Sequence, residues 1–140
     1  MKDETEPAGS PFVHPPLSLV SRIARSFYFA FAGLSYLFRT QRNARIHAIL
    51  GAAACGIGAW VGISRVEWAV LVFTIALVLI LEGLNTAVEA AIDLASPNVH
   101  PLAKAAKDLA AGMVLIAALA SVAVGLLILG PPLWRKVCGP

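Results

Sequence analysis

Between Glu82 and Asp93 the chain reads EGLNTAVEAAID, which sets three carboxylates and one amide at successive spacings of three, four and four residues. On a helix those spacings bring Glu82, Asn85, Glu89 and Asp93 within roughly 80° of one another, one continuous stripe. Carboxylates in such a row can ligate a hard cation, and a carboxylate beside a hydroxyl can take its proton. A second group follows in NVHPLAKAAKD, which holds Asn98, His100, Lys104, Lys107 and Asp108. Lysine neutralises phosphate oxygens, and Mg²⁺ takes one or two carboxylates plus phosphate, so the two groups together suit polyphosphate chemistry.

The elements that must carry these residues are apolar. Hydrophobic residues make up 59% of the 140 and the mean hydropathy is +0.79, well above the roughly 45–50% of soluble chains. Three segments are long enough to cross a hydrocarbon core of roughly 30 Å: about 46–64, about 68–94 and about 108–130. The second opens with the uncharged WAVLVFTIALVLIL and runs on into the acids. A helix rising about 1.5 Å per residue from Trp68 reaches Glu82 after roughly 21 Å and Glu89 after roughly 32 Å. The acids therefore mark one membrane face, with Glu82 deeper than Glu89. A lipid-facing stripe of acids is prohibitive, so the stripe faces protein, water or a cation.

Arg39, Arg42 and Arg45 precede the first span, and Lys104 and Lys107 lie between the second and third. Positive-inside logic puts the N-terminus, the second connection and the acids in the cytoplasm. Residues 18–39 have helical period, with Leu19, Ile23, Phe27, Ala30, Leu34 and Leu37 on one side and Arg22, Arg25 and Tyr36 opposite. That pattern predicts an amphipathic helix on the cytoplasmic surface. Residues 1–17 and 131–140 read as tails around one membrane domain, 18–130. Small residues in the first and third spans suit close helix packing. The expected class is an all-α integral membrane protein with a surface helix and three transmembrane helices.

Cys55 and Cys138 show no metal or disulfide spacing. Walker A, G-x-G-x-x-G and kinase H-R-D motifs are absent, as is a basic, aromatic groove for nucleic acid. Structural roles compete at some positions: Asp93 as a helix-end cap or pairing group, Lys104 as an interfacial anchor, His47 as a packing residue, Arg22 as a snorkelling cation.

EGLNTAVEAAIDL and HPLAKAAKDLAAGMVL, with RTQRNARIH upstream, resemble the small prokaryotic lipid kinases of the diacylglycerol kinase/undecaprenol kinase family over roughly residues 21–130. The resemblance implies a homotrimer in the inner (plasma) membrane of a prokaryote, with active sites at the cytoplasmic face shared between subunits. It implies transfer of the γ-phosphoryl group of MgATP to a lipid hydroxyl. Carried over, Glu82 is the general base and Asn85 positions the hydroxyl or Glu82. Glu89 holds the metal, and Lys107, Asp108, Arg22, Asn98 and His100 contact the nucleotide. Better-known members have a metal-binding glutamate ahead of the first span, where this chain has Gln41, a neutral oxygen donor. Some members carry Glu-Tyr before the histidine, where this chain has Asn98-Val99.

The NARIH and SPxxHPLAK elements resemble members acting on undecaprenol more than the proteobacterial diacylglycerol type, so undecaprenol is the favoured lipid. Two other functions compete: a small proton-coupled antiporter built on one membrane glutamate, and a family member that has lost catalysis.

Overall fold

The computed structural model describes residues 18–96 and 100–139. Its helices are α1 (Leu19–Thr40), α2 (Arg42–Val61), α3 (Arg65–Ala95) and α4 (Pro101–Cys138). The chain divides into two units, Met1–Ala32 and Gly33–Pro140. In the first, the described residues form the N-terminal part of α1. There Arg25 stands over the Phe29 ring, 5.5 Å from its centre, and Tyr28 meets Phe29 edge-on.

The second unit holds the end of α1 and the three long helices. α2, α3 and α4 are each long and apolar enough to cross a membrane. Only 11–17% of their most apolar stretches is buried within the chain, so lipid or further protein must cover the rest. α3 packs most extensively on α4, and α2 lies against both.

Local chemistry fixes the turn between α2 and α3. Gly62 takes the left-handed conformation (φ 80°), which costs glycine nothing sterically, and its N–H donates to the Gly58 carbonyl at 3.0 Å. Two residues later Ser64 caps α3. Its hydroxyl accepts the Glu67 N–H at 3.3 Å, and the Glu67 carboxylate accepts the Ser64 N–H at 2.7 Å. Gly51 is buried where α2 meets α3, and a Cβ there would sit 2.8 Å from Ile75 Cγ2. The close approach of the two helices depends on that missing atom.

The segment from 131 onward, expected as a tail, is helical through Cys138 despite Pro131 and Pro132. Two prolines remove two backbone donors, which argues for a break. The helix persists because proline's φ is already helical and because its end is tied down. Lys136 Nζ donates to the Trp60 carbonyl at the end of α2 and stands 5.3 Å from the centre of the Trp60 ring.

Candidate active site

The buried positions of α3 are Leu71, Val78, Glu82 and Thr86. Their spacing of seven, four and four puts all of them on the face turned toward the other helices. Glu82 is thus on the core side of its helix, 3% exposed. Thr86, also buried, donates its hydroxyl to the Glu82 carbonyl at 2.9 Å. Glycine at the next position lets α1 come close: Leu37 is buried, and its Cδ2 lies 3.7 Å from where a Gly83 Cβ would stand.

One turn toward the end of α3 that carries the remaining acids, Asn85 Nδ2 donates to Glu89 Oε1 at 2.9 Å. The Asn85 Oδ1 is buried and has no partner. A buried carbonyl oxygen left unpaired is costly, and it offers an arriving hydroxyl or water one ready acceptor. The amide therefore does two jobs: it orients Glu89 and leaves one polar vacancy between Glu89 and Glu82.

Farther along, Asp93 forms an ion pair with Lys107, which joins the end of α3 to the start of α4. Lys104 pairs with Asp108 one turn along α4. Lys104 therefore has a partner inside the candidate site, whereas the sequence suggested only an anchor. His100 caps α4, its Nδ1 accepting the Leu102 N–H at 3.2 Å. Its Nε2 remains as the second hydrogen-bonding atom of the ring.

Two residues enter that sequence reasoning left out of the site. His47, expected as a packing residue, is half-buried on α2 and lines one space with Val78, which lies one helical turn from Glu82. Asp93, which the sequence left balanced between capping and function, is the partner that holds Lys107. An isolated histidine on an apolar face carries no sequence signal, whereas Asp93 lay on the stripe from the start.

His47 also lines an apolar cavity of about 290 Å³ among α2, α3 and α4, with Gly51, Val78, Ser121 and Leu129 among its walls. Val78 is one helical turn from Glu82 on the same buried face. Hydrocarbon space thus begins one turn below the carboxylate, while the ionised groups lie one to three turns above it.

Gln41 stands at the N-cap of α2 in extended conformation (φ −98°, ψ 115°), and its side chain makes no capping bond. Among the described residues no three His, Cys, Asp or Glu side chains gather into a metal-binding group. The donor set suits Mg²⁺ carried on a nucleotide, which needs one or two protein carboxylates, and not an all-protein cage. Glu89, with one oxygen fixed by Asn85, fits that need, and Gln41 has an uncommitted amide oxygen. Arg22 belongs to the first unit, and the residues gathered here belong to the second. Asn98 lies outside the described residues.

Comparison with known proteins gives concordant matches. The family model for prokaryotic diacylglycerol kinase matches residues 28–129. A diacylglycerol kinase of Synechocystis is 45% identical over 133 residues, covering 91% of this chain and 76% of the relative. An undecaprenol kinase of Bacillus subtilis is 44% identical over 117 residues, covering 81% of this chain and 93% of the relative. A diacylglycerol kinase of Escherichia coli K12 is 28% identical over 102 residues, covering 73% and 84%.

Proposed function

The chain belongs to the prokaryotic diacylglycerol kinase family and is a lipid kinase; from that premise we propose that it passes the γ-phosphoryl group of ATP to the hydroxyl of undecaprenol, in preference to diacylglycerol. The observation that carries the reading is a buried carboxylate, Glu82, with an apolar cavity one turn to one side and the Asn85–Glu89 and Asp93–Lys107 pairs to the other. A lipid alcohol arrives through hydrocarbon and ATP through water. Glu82 is where they meet.

Glu82 accepts the hydroxyl proton as the lipid oxygen bonds to the γ-phosphorus. The bond from phosphorus to the β–γ bridging oxygen breaks, ADP leaves with the electron pair, and Glu82 then gives its proton to solvent. The free Oδ1 of Asn85 accepts the hydroxyl hydrogen as the lipid arrives, and that hydrogen turns to Glu82 as the bond to phosphorus forms. Mg²⁺ arriving on ATP would be held by Glu89 with Gln41 as a neutral donor, and it supplies charge neutralisation on the phosphates. Lys107 turns from Asp93 to the phosphates, and Asp108, His100, Asn98 and Arg22 complete the nucleotide site. The site lies at the cytoplasmic face, and the trimer is what the family resemblance implies.

Undecaprenol is favoured by the NARIH and SPNVHPLAK elements, which resemble members acting on undecaprenol. The antiporter alternative falls with the family assignment. The test is label transfer from γ-labelled ATP to undecaprenol and to diacylglycerol in mixed micelles. Faster labelling of undecaprenol is expected. Equal or inverted rates would overturn the preference. No transfer to either lipid, restored by Gln41→Glu, would make the chain a silenced member.

A further inference from the structure

The Asp93–Lys107 ion pair sets the register of α3 against α4. From that pair both helices run 28 residues to an arginine: Asp93 back to Arg65, and Lys107 on to Arg135. At about 1.5 Å per residue each path is roughly 42 Å, the thickness of a bilayer including both headgroup layers. Arg65 and Arg135 therefore reach the same level at the membrane face opposite the pair. One contact agrees with that placement: Lys136 donates to the Trp60 carbonyl.

The two ends of the bundle are built differently. Near Asp93, both Lys104 and Lys107 are ion-paired. At the opposite end Arg65, Arg135 and Lys136 face one acid, Glu67, whose carboxylate is engaged by the Ser64 N–H. Among the described residues neither guanidinium has an ion pair or hydrogen bond. All three tryptophans of the chain, Trp60, Trp68 and Trp134, belong to this end, and Trp60 and Trp134 are 55% and 70% exposed. Tryptophan at that level marks the headgroup layer. Excess positive charge on the far side of a membrane runs against the positive-inside bias, so an anionic partner there must compensate it.

We propose that Arg65 and Arg135 form a binding site for the phosphate of an anionic phospholipid in the leaflet opposite the Asp93–Lys107 pair, with α4 held over it by the Lys136–Trp60 contact. Guanidinium suits this ligand because its planar fork donates two parallel hydrogen bonds to one phosphate. The lysine cannot substitute for either arginine, since its ammonium is committed to the Trp60 carbonyl and ring. The site is spatially separate from the phosphoryl-transfer site and does not depend on which lipid that site phosphorylates.

The experiment is native mass spectrometry of the full chain released from nanodiscs of equal phosphatidylglycerol and phosphatidylcholine. Wild type retains phosphatidylglycerol preferentially. Arg65→Gln and Arg135→Gln each lower that preference roughly fivefold, and the double variant approaches parity. Arg65→Lys with Arg135→Lys retains part of it. Equal retention of the two lipids by wild type would overturn the site, as would a preference that survives in the double glutamine variant. Excess inorganic phosphate should leave the lipid bound, and its displacement would reassign the site to a soluble anion. Thermal unfolding of each variant, matched to wild type, excludes misfolding as the cause. No ATP is present, so a failed kinase assay leaves this result standing, and the reverse holds.

Discussion

Replacing Glu82 by glutamine removes a charge and a proton acceptor while keeping size and shape, so it separates chemistry from packing. Glu82 is 3% exposed, and no cation forms an ion pair with it among the described residues. A general base contributes about 10²–10⁴-fold to rate, which corresponds to roughly 2.7–5.4 kcal/mol of transition-state stabilisation at about 1.36 kcal/mol per decade. The expected loss in kcat for Glu82→Gln therefore lies in that range, with KM for ATP nearly unchanged because the nucleotide groups are one to three turns away. Stability should move the other way. A buried carboxylate without an ion-pair partner costs free energy, so the neutral amide should leave thermal stability unchanged or raised. The assay is initial-rate label transfer in mixed micelles beside thermal unfolding in the same detergent. A rate loss below about tenfold would refute the general-base role. A large loss accompanied by a matching fall in stability would reduce Glu82 to a structural residue.

Gly51→Ala should destabilise by about 1–3 kcal/mol, because the new methyl lands 2.8 Å from the branched Ile75 side chain. In a double-mutant cycle Ile75→Ala, which removes that Cγ2, should shrink the loss caused by Gly51→Ala in thermal unfolding, and no coupling would mean the contact is not limiting. Gln41→Glu should lower the Mg²⁺ concentration needed for half-maximal rate, since a charged oxygen replaces a neutral one; an unchanged titration would remove position 41 from the metal site. Asp93→Asn should free Lys107 from its ion pair and change KM for ATP more than kcat. A fall in kcat with KM unchanged would place Asp93 in the chemical step.

Much of the site could be read from residue spacing because α3 is one uninterrupted helix. Glu82, Asn85, Glu89 and Asp93 keep their relative positions whatever surrounds them, so periodicity alone puts them in line, and apolar length alone puts them near one membrane face. The turn after α2 was legible in part: Gly62 and the Ser64–Glu67 capping box are local signals. His47 was not legible, since its place beside Val78 in the cavity wall depends on how α2 packs against α3, where Gly51 meets Ile75 closely. The helical continuation past Pro131 and Pro132 was hidden for the same reason. Local chemistry predicts a stop there, and the contact that keeps the helix going, Lys136 with Trp60, joins residues 76 positions apart.

Local rules of stability are broken at few places in this chain, and where they are broken is informative. Glu82 buries a carboxylate in the core of a membrane helix, and within one turn Asn85 buries an acceptor with no partner. Hydrophobic residues at both positions would make a better-packed helix, so stability alone does not account for them. Both departures fall in the two turns between the apolar cavity and the ionised pairs, which is the stretch a hydroxyl on a hydrocarbon chain and a phosphate from water must both reach. Arg65 and Arg135 are the departure at the far end: charge without an ion pair among the described residues. On the proposed reading, substrates resolve the first group and the bilayer resolves the second. α3 and α4 fix the separation of the two at about the full thickness of a membrane, so seating the arginines in one headgroup layer would hold Glu82 at the depth proposed for the lipid hydroxyl.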